Sequence, residues 1–290
     1  MPSPRFTLII PCYNEEKAIL KTIHSLRSTL QSAQPYELIV VDDGSMDGSS
    51  EILREETEKD PELHIITHKT NRGYGAALKS GIRHASSDII VITDADGTYP
   101  NVRIKELVEI AQNTDMVVGA RTSENVTYPL TRKISKLFLE RYVSWLAGQE
   151  VPDMNSGLRV FKRSISERFL NILPDGFSFT TTITLAMIRN NYEVEFVPID
   201  YYPRIGKSKI RPVRDTLRFM ELILRTGIYF APLRVFLPLV LLLSISFLGS
   251  LSYDIILLNN LTDKTLILLM FTLNTALFAL LADMIDKRSG

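Results

Sequence analysis

Ile89–Ile90–Val91–Ile92–Thr93–Asp94–Ala95–Asp96–Gly97 is an apolar run that ends in two carboxylates one residue apart. Consecutive apolar residues ahead of a turn read as a buried strand. Such a strand carries Asp94 and Asp96 to its carboxyl end, where open α/β sheets bind ligands. Carboxylates at this spacing can hold one hard divalent cation through oxygen, with substrate phosphates completing its shell. A solvated strand end or turn can carry the same residues, so the surrounding sequence has to decide.

On either side of this run, strand-like and helical stretches alternate. Phe6–Cys12, Glu37–Val41, Leu63–Thr67, Ile89–Thr93 and Met116–Val118 read as strands. Helices are expected over Glu15–Leu30, Ser49–Glu58, Tyr74–Ala85 and Val102–Ala111 between them. Strands separated by helices of this length predict a mostly parallel sheet covered on both faces, an α/β fold. The second half is less regular. Leu130–Leu146 and Phe179–Arg189 look helical, and Leu158–Phe161 and Glu193–Pro198 strand-like.

The chain has 290 residues, with Lys+Arg and Asp+Glu both 33. Zero net charge gives no basic excess to suggest a nucleic-acid partner. Cys12 is the only cysteine, so no intrachain disulfide forms. The four histidines, His24, His64, His68 and His84, lack metal-ligand spacing on one helix, and His64 and His68 read as surface residues beside a strand. The apolar content is concentrated at the C-terminus. Val235–Tyr253 has no charge in 19 residues and Thr265–Ala282 none in 18. At about 1.5 Å per residue each can cross a roughly 30 Å hydrocarbon core. Both are apolar all round, unlike a surface helix of a soluble protein. Their connection, Asp254–Lys264, holds one basic residue, whereas Arg211, Arg214, Arg218, Arg225 and Arg234 lie upstream and Lys287 and Arg288 downstream. The positive-inside bias predicts an integral membrane protein with both termini in the cytoplasm. The expected layout is a cytoplasmic domain over 1–210, a basic amphipathic interfacial segment over 211–234 and a transmembrane hairpin over 235–284, with spans at about 235–257 and 265–282.

Small, polar and acidic residues collect where the strands end. Pro11–Cys12–Tyr13–Asn14–Glu15–Glu16 follows the first strand and Asp42–Asp43–Gly44–Ser45 the second. Acids there can accept hydrogen bonds from a base or ribose, or they can simply shape a turn and cap the next helix. Asn71–Arg72–Gly73–Tyr74–Gly75 opens the third helix; its glycines would let a ligand approach the backbone, and a helix N-terminus favours anions.

Taken in order, Ile10–Pro11–Cys12–Tyr13–Asn14–Glu15, Val41–Asp42–Asp43–Gly44–Ser45, Asn71–Arg72–Gly73–Tyr74–Gly75–Ala76 and Asp94–Ala95–Asp96 resemble a family 2 glycosyltransferase. More narrowly they resemble the polyprenyl-phosphate branch, which includes dolichol-phosphate mannose synthase and bacterial undecaprenyl-phosphate glucosyltransferases. The resemblance implies a GT-A-type nucleotide-sugar-binding domain with a mixed, mostly parallel sheet, covering about residues 5–210, followed by amphipathic juxtamembrane helices and the hairpin. It implies that Pro11, Tyr13, Glu15 and Asp43 contact the nucleoside, joined in the donor site by Asp42, Asn71, Gly73 and Ala95. Asp94 and Asp96 would engage the diphosphate through Mg²⁺ or Mn²⁺, Asp96 more directly. The family's mannose synthases carry a longer polar side chain just after this motif, where this chain has Gly97, so no third protein ligand is expected there.

Two later stretches match as well. Asp153–Met154–Asn155–Ser156–Gly157–Leu158–Arg159 resembles the element lining the sugar pocket, and Arg204–Ile205–Gly206–Lys207–Ser208–Lys209 the one closing over the donor phosphates. Asp153, Ser156, Arg204, Ser208 and Lys209 take their expected roles from them; cations there would stabilise charge on a departing diphosphate. Arg121 and Arg132 resemble the arginines that receive the acceptor phosphate, which the planar guanidinium fork suits. The expected partners are a UDP- or GDP-linked sugar, a polyprenyl (undecaprenyl or dolichyl) phosphate and the membrane. Homo-oligomers are common among such assemblies, and the sequence sets no number.

The implied reaction is one inverting displacement by a phosphate oxygen at the anomeric carbon. A phosphate monoester is largely dianionic at neutral pH and needs little general-base help, so Asp153 can serve as base or merely orient its neighbours. Transfer to diacylglycerol would keep the fold but need a true base, because an alcohol is the weaker nucleophile. A catalytically inactive nucleotide-sugar sensor or scaffold is the non-enzyme alternative.

Overall fold

The computed structural model describes residues 5–31, 35–60, 62–122, 141–204, 224–225, 227–229 and 231–289. The chain divides into two compact units, Met1–Ser144 with Gln149–Pro212, and Trp145–Gly148 with Val213–Gly290.

The first unit is built on a seven-stranded sheet in the order β3-β2-β1-β4-β6-β5-β7. Its strands are β1 (Phe6–Cys12), β2 (Tyr36–Asp42), β3 (Leu63–Thr67), β4 (Ile89–Ile92), β5 (Met116–Ala120), β6 (Arg159–Lys162) and β7 (Val194–Pro198). Strand β1 sits centrally with Phe6, Leu8, Ile9, Ile10 and Cys12 buried, as a strand covered on both faces must be. Neighbours β1–β2, β2–β3, β1–β4 and β5–β7 run parallel; only β6 is reversed, antiparallel to both β4 and β5. The sheet is therefore mixed and mostly parallel, as expected.

Helices α1 (Ile19–Leu30), α2 (Ser49–Lys59), α3 (Tyr74–His84), α4 (Ile104–Ile110), α5 (141–147), α6 (Arg163–Phe169) and α7 (Phe179–Arg189) accompany the strands. Helix α1 buries Ile19, Ile23, Leu26 and Leu30, a stripe at helical spacing. It begins four residues later than the sequence suggests, because 15–18 form a turn. There the Glu15 carbonyl accepts the Ala18 and Ile19 amides, and Ser49 Oγ accepts the Glu15 amide at 2.8 Å. Helix α3 closes on β1 through Gly81, where a Cβ would stand 2.5 Å from Ile9 Cγ2. Before α4 the chain makes a 3₁₀ turn at Asn101–Arg103. Helix α6 has no counterpart in the sequence reading; it is seven mostly polar residues that follow β6 without a break. The expected helix over 130–146 is described only from residue 141.

Topology places the site. The chain winds outward from β1 to β3 and returns to β4 on the other side of β1, which makes the carboxyl ends of β1 and β4 a switch point. Because β6 alone is reversed, the loop entering it reaches the edge where β1, β2, β4, β5 and β7 end.

In the second unit, α8 (Pro232–Tyr253) runs into a π-helical turn at Asp254–Leu258, and α9 spans Asp263–Ser289. Two helical stretches, Pro232–Leu258 and Asp263–Ile285, are long and apolar enough to cross a membrane, and few of their residues are buried. The first begins three residues before the expected span and ends within one residue of its expected end. Asp254 Oδ2 accepts the Thr262 amide and the hydroxyls of Thr262 and Thr265, each at 2.7 Å, so the polypeptide turns around this acid. Asn259, in the left-handed region, ends the turn. Ser250 and Thr265 hydroxyls, 2.6 Å apart, join the two helices, while Asn274 in the second of them is exposed.

Candidate active site

Asp94 and Asp96 stand just beyond β4. Asp94 Oδ1 accepts the Tyr74 hydroxyl at 3.2 Å. Gly157 is pressed against the same carboxylate: a Cβ there would lie 2.7 Å from both Asp94 oxygens. Gly157 is held in turn, its amide donating to Tyr99 Oη at 2.6 Å. Asp96 Oδ1 accepts the Thr98 amide (3.2 Å) and hydroxyl (2.7 Å), and its Oδ2 lies 3.5 Å from Arg204 Nη1. Arg204 also pairs with Glu15, which joins the far end of the domain to the first strand end. Arg204 Nε is buried and has no hydrogen-bond partner among the described residues.

Desolvation first, and then the Asp96 charge, push the Asp94 carboxyl up to about 7, against the lowering influence of Tyr74, Arg121 and Arg204. Burial and the Asp94 charge raise the Tyr74 hydroxyl well above its ordinary range, so it remains a donor at neutral pH. Two hard oxygen ligands one residue apart, with a cationic guanidinium already drawn to one of them, fit Mg²⁺ or Mn²⁺. No cluster of three or more His, Cys, Asp or Glu suited to a metal occurs among the described residues, so phosphate oxygens and water would complete the shell.

Arg121, following β5, grips Asp153 bidentately, Nε to Oδ2 at 2.7 Å and Nη2 to Oδ1 at 2.9 Å. The Arg121 amide donates to Asp153 Oδ2 (3.0 Å) and the Asn155 amide to Oδ1 (3.1 Å). The Arg121 guanidinium lies 5.1 Å from the centre of the Tyr201 ring, and Tyr201 meets Tyr99 edge-on at 5.4 Å. Burial alone would raise the Asp153 carboxyl, but the Arg121 hydrogen bonds and charge outweigh it and hold the group below its ordinary value. A carboxylate so held is a poor proton acceptor at neutral pH.

Other expected donor-site residues are occupied within the protein. Asp42 is buried, its oxygens accepting the Ser45 amide (3.0 Å) and the Ser50 hydroxyl (2.5 Å); it shapes the turn after β2. Asp43 is buried too, accepting the Arg72 and Gly73 amides (2.9 and 2.7 Å) and lying 2.6 Å from His68 Nδ1. His68 is thus not a surface residue: it is buried between Asp43 and Ser80, whose Oγ lies 2.8 Å from Nε2. Gly73, with φ of 103°, and Gly75 do allow a close approach, but the backbone that approaches is Pro174–Gly176 of this chain. Asp175 O accepts the Ala76 amide at 3.0 Å, so part of the α3 N-terminus is already taken. Asn71 is exposed beside it. Ser156 is fully buried and donates to Gly119 O at 2.5 Å, which pins the loop to β5 instead of facing a ligand. Ala95 is buried, its carbonyl accepting the Thr22 hydroxyl at 2.8 Å. Pro11 and Tyr13 are half-buried at the end of β1. Arg132, Ser208 and Lys209 lie outside the described residues.

Three residues to which the motifs gave no role of their own contribute here. Arg159 is entirely buried and donates to Ser156 O (2.7 Å), Met154 O (2.6 Å) and Thr184 Oγ1 (2.5 Å), holding the 153–157 loop from behind. Burial lowers its guanidinium to about 10, still charged at neutral pH. Tyr74 reaches Asp94, and Tyr99 reaches Gly157. An arginine ending a Ser-Gly-x-Arg run was a visible signal for Arg159; the tyrosines show their roles only once the start of α3 and the 153–157 loop meet the residues that follow β4.

Several comparisons bear on this geometry. The model of Glycosyl transferase family 2 matches residues 7–170. The undecaprenyl-phosphate 4-deoxy-4-formamido-L-arabinose transferase of Photorhabdus laumondii is 33% identical over 239 residues, covering 80% of this chain and 70% of that protein. The undecaprenyl-phosphate mannosyltransferase of Micrococcus luteus is 28% identical over 216 residues, covering 71% of this chain and 87% of that protein. Some other relatives are spanned over only about half their length, 51% in one transferase of the first type from Pectobacterium carotovorum. Among solved structures, glucosyl-3-phosphoglycerate synthase from Mycobacterium tuberculosis, in complex with Mn²⁺, UDP-glucose and phosphoglyceric acid, gives a TM-score of 0.57 at 17% identity over 77% of this chain and 80% of that chain. That likeness is one of fold, the GT-A type expected from the sequence.

Proposed function

The chain belongs to glycosyl transferase family 2, and from that premise we propose that it transfers a sugar from a UDP- or GDP-linked donor to a polyprenyl phosphate, with inversion, at the cytoplasmic face of a membrane. The observation that carries this reading is the meeting of Asp96 with Arg204 at 3.5 Å, beside Asp94. A carboxylate pair and a cation from distant parts of the chain converge where a diphosphate would leave. The relatives named for undecaprenyl phosphate and the two long apolar helices support a lipid acceptor.

In this reading Asp94 and Asp96 hold Mg²⁺ or Mn²⁺, which when bound offsets charge on the departing diphosphate. Arg204 swings from Glu15 and Asp96 to the donor phosphates, its unpartnered Nε–H available for an oxygen. Ser208 and Lys209 act with it. Tyr13 and Glu15 border the nucleoside. Arg121, with Arg132, receives the acceptor phosphate, while Asp153 fixes the Arg121 fork. Asp153 orients and does not remove a proton, since a dianionic phosphate is already nucleophilic. The layout proposed is the catalytic domain over 1–210, an interfacial segment over 211–234 and a hairpin over 235–284, with both termini cytoplasmic.

The test is release of nucleoside diphosphate by purified full-length protein in detergent, given polyprenyl phosphate, Mg²⁺ or Mn²⁺, and UDP- and GDP-sugars in turn. Release that depends on lipid and metal and is lost in Asp96→Ala supports the reading. Equal release by Asp96→Ala, or none with any donor, overturns it.

A further inference from the structure

Asp94 is gripped from two sides. Gly157 backs it, and the Tyr74 hydroxyl donates to Oδ1. Tyr74 is itself covered by Phe177, whose ring stacks on it at 5.6 Å with 6° between the planes. Phe177 is 75% exposed, so no core requires it there. What seats it is the loop before α7. Asp175 O accepts the Ala76 amide, and Asp175 Oδ1 accepts Lys79 Nζ at 2.8 Å. A Cβ at Gly73 would stand 2.5 Å from Asp175 O, so the loop lies directly on the first turn of α3.

We propose that Tyr74, braced by Phe177, is a positioning residue that sets Asp94 for the divalent cation. The inference rests on the reading that Asp94 and Asp96 hold that cation. With Oδ1 fixed by the phenol, Oδ2 is presented in one place. Mg²⁺ demands near-ideal octahedral geometry at short range, so a carboxylate free to swing binds it less well. Groups that orient a metal ligand from behind commonly change metal affinity about 10–100-fold when removed. Tyr74→Phe would delete only the hydroxyl, Phe177→Ala only the brace, and Phe177→Tyr would keep the stack.

The experiment is Mn²⁺ binding to the full chain in detergent, read by electron paramagnetic resonance of free Mn²⁺, with UDP and in parallel with GDP. Tyr74→Phe and Phe177→Ala are expected to raise the Mn²⁺ dissociation constant about tenfold. Nucleotide affinity without metal should stay at the wild-type value, and Phe177→Tyr should match wild type. The metal concentration for half-maximal turnover should rise in the same two variants. Wild-type Mn²⁺ affinity in Tyr74→Phe overturns the inference. So does an equal loss of metal-free nucleotide binding, which marks general damage to the site. Asp96→Ala separates this inference from the reading beneath it. If that variant binds Mn²⁺ normally, the carboxylate pair is not the metal site; if it loses Mn²⁺ while Tyr74→Phe does not, only the role of Tyr74 falls.

Discussion

Replacing Asp94 with asparagine should stabilise the ligand-free protein at high pH while removing a proposed metal ligand. In the unfolded chain this carboxyl ionises near its ordinary 3.8; in the folded protein it keeps its proton to about 7. Well below pH 3.8 both states are protonated and the residue has no net effect. Between pH 4 and 7 the unfolded state gives up a proton the native state retains, so stability falls as pH rises. Above about pH 7 the full cost is present. About three pH units at roughly 1.36 kcal/mol each set a ceiling near 4 kcal/mol. Asp94 is partly open to solvent, so screening reduces this to about 2 kcal/mol. Asparagine keeps the shape and an oxygen for the Tyr74 hydroxyl but carries no charge. Thermal unfolding of the full chain in detergent with a chelator should place Asp94→Asn about 4–8 °C above wild type at pH 8 and only about 1–2 °C above it at pH 4.5. Mn²⁺ with nucleotide should then raise the wild type further than the variant. A difference between the proteins that is the same at both pH values would refute the linkage, as would none at pH 8.

The other expectations concern the loop that enters β6. Asp153→Asn should raise the acceptor KM more than it lowers kcat, because it loosens the Arg121 fork; a loss of kcat of about 10³ with KM unchanged would instead make Asp153 the general base. Arg159→Met leaves the Ser156 and Met154 carbonyls without their donor and should cost about 3 kcal/mol of stability, seen as a lower Tm. Gly157→Ala drives a methyl against both Asp94 oxygens and should weaken Mn²⁺ binding while sparing nucleotide binding in chelator; unchanged metal affinity would show that Asp94 can move freely.

Much of the fold was legible because apolar runs and their spacing report burial. Phe6–Cys12, Leu63–Thr67 and Phe179–Arg189 occur as elements where the sequence places them. Strand order was not legible. Nothing local in Arg159–Lys162 says that it inserts, reversed, between β4 and β5. The site was half legible for a related reason. Residue type identifies an acid at a strand end but not what it bonds. Asp42 and Ser156 face inward because neighbouring amides, hydroxyls and carbonyls claim them. His68 is buried because Asp43 and Ser80, far from it in sequence, close around it. The late start of α1 has the same origin, since the amide of Glu15 is tied to Ser49 and its carboxylate to Arg204. Composition alone exposes the hairpin, but Asp254, which the sequence reads as the first residue of the connection, proves to be the pivot on which it turns.

The most direct test of the proposed reaction is a competition between acceptors. Purified full-length protein would be offered polyprenyl phosphate and diacylglycerol together, with Mn²⁺ and each nucleotide sugar, and the lipid products identified by mass spectrometry. A sugar joined through phosphate to the polyprenyl chain, formed from one donor and lost in Asp96→Ala, is the expected result. A glycosylated diacylglycerol, or free sugar with no lipid product, would contradict it.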